Sequence, residues 1–263
     1  MTLKQALSQA RERLVANNIE DASLESELLL RHTLNINRVQ LYQDLDHELS
    51  PEQEQIFWNL IRCRLDDEPT AYIVGHRDFY GLDFCVTPHV LIPRPESELL
   101  VEKALQLAGD RPIATIAEIG TGCGAIAISL ALSLPQDKIY AIDISAPALK
   151  VALFNCQKHG VINKVCLLQG DMLEPLPESA DLIIANLPYV RQSDLSLACS
   201  TNSEPPLALN GGSDGLEKIR HLCRQLKDKL LSEAYVLLEI GHGQRKTFKE
   251  NDSGKVIDNI FSF

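Results

Sequence analysis

Ala114-Thr115-Ile116-Ala117-Glu118-Ile119-Gly120-Thr121-Gly122-Cys123-Gly124 is an apolar run that ends in a Gly-x-Gly-x-Gly turn, and a helical pattern follows through Ala125 to Leu134. Glycines at such a strand-to-helix turn permit tight geometry and let a ligand approach the backbone closely. The spacing is not the Gly-x-Gly-x-x-Gly of dinucleotide sites. Downstream the alternation repeats: Lys138 to Ile142, a helix from Ala146 to His159, then Val165 to Leu168, Asp181 to Ala185, a helix from Leu216 to Leu231, and Tyr235 to Ile240. Short apolar runs alternating with helices at this spacing predict a mostly parallel sheet covered on both faces, an α/β fold.

Upstream, Thr2 to Leu65 reads as helices. Leu3, Leu7, Ala10 and Leu14 form one stripe, and Leu24, Leu28, Leu29 and Leu34 form another, with Asn17-Asn18 between them. Thr2 with Gln5, and Ser50-Pro51-Glu52-Gln53, have capping-box spacing. The helix after Ser50 carries Phe57, Leu60, Ile61 and Leu65. The helical period stops at Asp66-Asp67-Glu68-Pro69, and Ala71 to Val86 reads as extended and aromatic around Gly75 and Gly81, which suggests a hairpin. A further helix is expected from Glu96 to Gly109. The expected division is a helical domain over residues 1–68, a hairpin linker over 69–92 and the α/β domain over 93–263.

With 263 residues, 45% hydrophobic and 23% charged, the chain can bury a core and is neither fibrous nor largely disordered. No apolar run approaches the about 18 residues needed to span a bilayer, and Met1 to Asn17 is amphipathic rather than secretory, so a cytoplasmic protein without membrane partners is expected. The formal charge of −11 repels polyanions, and direct nucleic-acid binding is not expected. Seven cysteines (63, 85, 123, 156, 166, 199 and 223) form no Cys-x-x-Cys pair and read as reduced packing thiols. His76, His89 and His242 show no metal-like pairing, so no metal is expected.

Three strand ends carry candidate ligand groups. Gly120, Thr121, Gly122, Cys123 and Gly124 form the first, and Asp143, placed to accept from both hydroxyls of a ribose, is the second. Asp171 and Met172 form the third, an acceptor for an exocyclic amine beside a side chain that can lie on a purine face. Together they suit a nucleoside without a pyrophosphate, and no Walker-type Gly-x-x-x-x-Gly-Lys is present. Glu118 is placed to bond either the loop amides or a cofactor ammonium.

Asp181-Leu182-Ile183-Ile184-Ala185-Asn186-Leu187-Pro188-Tyr189 runs a buried strand into a rigid, polar, aromatic turn. An amide nitrogen is a poor nucleophile because its lone pair is delocalised. It must be held by acceptors on its N–H groups while the lone pair faces an electrophile. Asn186 Oδ1 and the Leu187 carbonyl can be those acceptors, Tyr189 can stack on the flat group, and Pro188 fixes the turn.

On these residues the chain resembles the class I S-adenosylmethionine-dependent methyltransferases with an Asn-Pro-Pro-Tyr-type motif. It is most similar to the protein-(glutamine-N5) methyltransferases of peptide chain release factors. Three further stretches carry that likeness: Tyr72 to Gly81, Val90 to Glu102 with its Ile92-Pro93-Arg94-Pro95-Glu96 core, and Glu204 to Leu216. The resemblance implies a Rossmann-like class I methyltransferase sheet, an N-terminal helical bundle and a β-hairpin linker. It also implies S-adenosyl-L-methionine held by Gly120 to Gly124, Asp143, Asp171 and Met172, with Asn186 beside it. Asn186, Leu187, Pro188 and Tyr189 would hold the glutamine amide of a release factor's Gly-Gly-Gln loop, with no metal and no covalent enzyme intermediate. An amino methyltransferase acting on adenine in RNA or DNA is the alternative, because Asn-Leu-Pro-Tyr is also similar to the motif of ribosomal-RNA adenine dimethyltransferases.

The chain departs from the family's pattern in two places. Leu187 stands where the family has Pro, which keeps the carbonyl and loosens the backbone. Only 22 residues follow Gly241, so a final hairpin is expected to be missing, with Lys246 to Glu250 helical and Val256 to Phe263 supplying one strand. Arg94 and Glu96 read equally as a structural ion pair or as substrate contacts.

Overall fold

The computed structural model describes residues 1–110, 112–195, 204–241, 243–244 and 260–262. The described residues fall into two compact units, the first comprising Met1–Gly75 and the second starting at His76.

In the first unit, α1 (Leu3–Ala16), α2 (Ala22–Leu34), α3 (Arg38–Gln43), α4 (Pro51–Leu65) and α5 (Thr70–Val74) surround a core that includes Leu3, Leu14, Leu29, Leu41, Phe57 and Ile61. Both predicted capping boxes form: Thr2 with Gln5 starts α1, and Ser50 with Gln53 starts α4 with Pro51 in its first turn. Each satisfies N–H groups that a helix start otherwise leaves without partners. The apolar stripe of α2 is rotated from the expected one. Ala22, Ser26, Leu29 and Leu30 are buried while Leu24 is exposed, because small Ala22 and Ser26 occupy the inner face and Ser26 Oγ bonds back to the Ala22 carbonyl at 2.5 Å. Residues 70–74, expected to be extended, form one helical turn after Pro69, and Gly75 ends it in the left-handed region at φ +79°. Burial of Ala71 and Tyr72 rewards that turn over the local preference for strand.

The second unit opens with an antiparallel hairpin of β1 (His76–Phe79) and β2 (Leu82–Cys85), with Phe79 and Phe84 buried. After a 3-10 turn at Pro95–Ser97 comes α6 (Glu98–Asp110), and then the sheet is built from β3 (Thr115–Ile119), α7 (Ala125–Ser133), β4 (Lys138–Asp143), α8 (Ala146–Lys158), β5 (Val165–Gln169), β6 (Ala180–Asn186), α9 (Glu217–Leu226), β7 (Leu230–Glu239) and β8 (Ile260–Ser262). Among the described residues the strand order of this sheet is β5-β4-β3-β6-β7-β8, and every pairing within it is parallel.

Ile116, Ala117, Leu182, Ile183, Ile184 and Ala185 are fully buried, as central strands covered on both faces require. The expected helix ends at Leu226 instead of Leu231. Ile219, Leu222 and Leu226 exhaust its buried face, and Leu230 already pairs with Ala180 in β7. Of the expected C-terminal strand, Ile260–Ser262 lies beside β7; the proposed helix at 246–250 lies outside the described residues, as does His242. From β3 the chain moves outward to β4 and β5, then returns to β6 on the other side. The carboxyl ends of β3 and β6 therefore border a topological switch point, where open α/β sheets bind ligands. No helix among the described residues is long and apolar enough to cross a membrane.

Candidate active site

A cavity of about 190 Å³ opens over these strand ends. One water needs about 10–15 Å³ on this measure, so the space takes on the order of a dozen waters, which is room for a nucleoside-sized ligand. Gly120, Thr121, Gly122, Cys123, Asp143, Asp171, Met172, Asn186, Leu187 and Pro188 line it. Gly124 and Tyr189 stand outside that wall.

The glycine turn is fixed from beneath. The N–H groups of Gly120 and Thr121 both donate to the Ile142 carbonyl, at 2.9 and 3.0 Å. Thr121 Oγ1 donates to Glu118 Oε2 at 2.6 Å, and the same oxygen accepts the Ala127 N–H at 3.0 Å. Glu118 therefore braces the start of α7. Complete burial pushes its carboxyl up to about 8 against the bonds from Thr121 and Ala127. Gly124, at φ +84°, starts α7 where a Cβ would meet Ile128 Cδ1 at 3.0 Å and Ala152 Cβ at 3.4 Å, so its place is in the contact between α7 and α8. Asn155 on α8, fully buried, donates to the carbonyls of both Cys123 and Cys85 at 2.9 Å and accepts the Cys85 N–H at 2.8 Å, tying the glycine turn to the hairpin. Cys123 is buried, and burial pushes its thiol up to about 12, which suits a small packing group and not a nucleophile.

Asp143 accepts the Gly122 N–H at Oδ2 and the Ser145 N–H at Oδ1, each at 2.9 Å. Burial raises its pKa above the ordinary value while those N–H groups oppose the shift. The Ile144 N–H is a third partner, and the carboxylate, which lines the cavity, keeps lone-pair capacity for a further donor such as a ribose hydroxyl. Asp171 Oδ2 is engaged by His221 Nε2 at 2.9 Å, a partner the sequence did not suggest. Met172 sits beside it in the left-handed region at φ +51°, nearly buried against the sheet core.

At the end of β6, Asn186 Nδ2 donates to Ser97 Oγ at 2.8 Å, and Ser97 Oγ donates to Glu239 Oε2 at 2.7 Å. The amide nitrogen of Asn186 is thereby occupied, and Ser97 lines the cavity beside it. Leu187 is buried, its Cδ2 where a Cβ on Gly120 would stand 3.4 Å away, so the side chain that replaces Pro serves as sheet core. The turn is held by backbone packing: a Cβ on Gly211 would lie 2.7 Å from the Pro188 carbonyl oxygen, and one on Gly215 would lie 2.4 Å from that of Tyr189. Gln244 Nε2 donates to the same Tyr189 carbonyl at 3.0 Å. Burial and the neighbouring Glu239 raise the Tyr189 hydroxyl, with Arg94 acting against them.

Arg94 pairs with Glu204 at 2.5 Å, and Glu204 Oε1 accepts the Ile92 N–H at 3.2 Å, so the Pro-Arg-Pro segment and the Glu-Pro-Pro segment are joined at the cavity. His76, Asp78 and Asp83 cluster on the exposed hairpin, but Lys158 Nζ lies 2.6 Å from Asp83 and His76 Nδ1 lies 2.7 Å from it, a surface ion-pair group. Ser97, Glu239, Asn155, Gly211, Gly215 and Gln244 were not anticipated as site residues. The loop of residues 210–215 is marked in the sequence only by its likeness to the family.

Comparison with known proteins places the chain in a family. Residues 5–75 match the PrmC N-terminal domain and residues 112–240 match a methyltransferase domain. The release factor glutamine methyltransferase of Moorella thermoacetica is 43% identical over 252 residues, covering 95% of this chain and 89% of that one. The chain belongs to the release factor glutamine methyltransferase family. The Geobacter sulfurreducens member is 38% identical over 249 residues, covering 94% of this chain and 86% of that one. Among solved structures, a ribosomal protein L11 methylase from Lactobacillus delbrueckii subsp. bulgaricus is similar at TM-score 0.46 and 22% identity, covering 63% of this chain and 70% of that one.

Proposed function

We propose that this glutamine methyltransferase transfers a methyl group from S-adenosyl-L-methionine to the side-chain amide nitrogen of the glutamine in a release factor's Gly-Gly-Gln loop. The observation that carries the reading is the placement of Asn186, its nitrogen side tied to Ser97, on the wall of the same cavity as the glycine turn and Asp143. The donor set suits the cofactor: Asp143 offers a carboxylate on the cavity wall with room for a further donor, Met172 and Ile142 offer apolar surface, and Asp171 adds acidic character for a cation. When bound, the cofactor supplies an electrophilic methyl on a positively charged sulfur.

The chain's own residues do the positioning. Gly120 to Cys123 and Asp143 hold the donor, while Asn186 Oδ1 and the Leu187 carbonyl accept the two N–H groups of the substrate amide and turn its lone pair toward the methyl. Pro188 and the glycines behind it keep that turn from shifting. Such an arrangement works by orientation, and effective molarities for well-aligned partners remove about 7–11 kcal/mol of a barrier. The proton left on nitrogen can depart after transfer. The release factor is the substrate we assign, and the helical unit of residues 1–75 is the docking module we assign to it. A methyl-transfer assay offering a release factor, its Gln-loop variant and ribosomal RNA tests this directly. Label on the intact factor alone supports the reading, and label on RNA alone overturns it.

A further inference from the structure

Asn186 is a symmetric-looking group with opposite chemistry at its two ends. Turned one way it presents an acceptor to the substrate amide, and turned the other way it presents N–H groups to N–H groups and repels it. Something must choose between the two, and the choice is visible in the hydrogen bonds behind it. Glu239, at the end of β7 and 8% exposed, can only accept when ionised. Ser97 has a single hydroxyl proton, and at 2.7 Å from Glu239 Oε2 that proton is committed to the carboxylate. Ser97 Oγ is then left as an acceptor toward Asn186 at 2.8 Å, and it, like Glu239, which also bonds Asn186, is satisfied only by the NH2 end of that amide.

We propose that Ser97 and Glu239 are positioning residues for methyl transfer, a polarised relay that fixes the Asn186 amide with its carbonyl oxygen toward the substrate. The inference rests on the reading of Asn186 as the acceptor of the substrate amide. Ser97 is reached from the 3-10 turn before α6, and Glu239 from the strand beside β6, so three separate elements meet on one amide. Glu96 and Tyr189 also face Glu239, and Arg94 faces Tyr189. Burial, and then Glu96, raise the Glu239 carboxyl above its ordinary value, against the bonds from Ser97, Asn186 and Tyr189. Once protonated, Glu239 can itself donate to Ser97 Oγ, and the Ser97 proton is no longer committed to the carboxylate. The hydroxyl is then free to donate to Asn186 Oδ1, and the amide loses its preferred direction.

The experiment measures kcat against pH and the cofactor dissociation constant for Ser97→Ala, Ser97→Thr, Glu239→Gln and Asn186→Ala, using the whole chain and a release factor substrate. Ser97→Ala and Glu239→Gln are expected to lower kcat by about ten- to hundredfold, the cost of a mis-set reacting geometry, with cofactor affinity unchanged. Ser97→Thr, which keeps the hydroxyl, recovers most of the loss, and Glu239→Gln removes the acid limb of the kcat profile. Wild-type kcat in both Ser97→Ala and Glu239→Gln while Asn186→Ala is inactive would overturn the relay alone. Parallel loss of kcat and cofactor affinity would assign the pair a merely structural role and also overturn it. Retained turnover in Asn186→Ala would overturn the reading of the site, and the relay with it.

Discussion

Gly215→Ala isolates the rigidity of the catalytic turn from the stability of the protein. Gly215 has φ +77°, and an added Cβ would stand 2.4 Å from the Tyr189 carbonyl oxygen and 2.5 Å from Gln244 Nε2. Ordinary contact begins near 3.4 Å, so the backbone after Asn186 must retreat by about 1 Å. A 1 Å misplacement can cost about 10²-fold in rate, close to 3 kcal/mol of barrier. The left-handed conformation adds roughly 1–2 kcal/mol of destabilisation for a residue with a Cβ. Gly160→Ala is the control: its φ is +71°, and nothing lies within 4 Å of the added atom. Both variants should lower Tm by several degrees, roughly 2–4 °C per kcal/mol at this size. Only Gly215→Ala should lower kcat by about 10²-fold with unchanged cofactor affinity. Equal kcat in the two variants, each folded, would refute the claim that the Asn210–Gly215 loop holds the turn in place.

Asn186→Ala should abolish most turnover while the cofactor still binds, because the lost carbonyl orients the acceptor substrate; calorimetric titration beside an activity assay shows it, and an equal loss of cofactor affinity would contradict the assignment. Asp143→Ala should do the reverse and weaken cofactor binding, since the carboxylate both faces the cavity and holds the Gly122 and Ser145 N–H groups. Glu118 is an acid whose native pKa stands at about 8 against 4.5, so between those values the native state holds a proton that the unfolded chain has lost. Stability from this group is complete below 4.5 and falls as pH rises toward 8, and Glu118→Gln should flatten that slope in denaturant titrations at either end of the window. Exposed Cys166 should be alkylated in the native protein, whereas buried Cys123 should react only on unfolding, as peptide mapping after timed labelling would show.

The sequence is legible where one short segment decides the outcome. Thr2 with Gln5 and Ser50 with Gln53 announce helix starts because the interacting groups are three residues apart. Asn37 with Gln40 carries the same signal for α3 and would have found that helix. The alternation after Ile113 was legible because a parallel strand is apolar on both faces. Thr70–Val74 was not, since its aromatic and β-branched residues favour strand and only tertiary burial of Ala71 and Tyr72 makes it helical. The parts of the site that were missed are long-range. Ser97 meets Asn186 across 89 residues and Glu239 across 142, and Asn155 meets Cys123 across 32. No spacing rule connects such positions. Gly211 and Gly215 belong to the Glu204–Leu216 stretch that carries the family likeness, but their role follows only from the carbonyls of Pro188 and Tyr189 packed against them. Met172, in contrast, stands out in the sequence by its side chain, while its left-handed backbone is set by the fold.

The most direct test of the account is transfer of labelled methyl from S-adenosyl-L-methionine to a purified release factor, followed by mapping of the modified residue. The account predicts one labelled site, the amide nitrogen of the glutamine in the Gly-Gly-Gln loop, and no label when that glutamine is replaced. Label that persists on the substituted factor, or that appears on ribosomal RNA in its place, would contradict it.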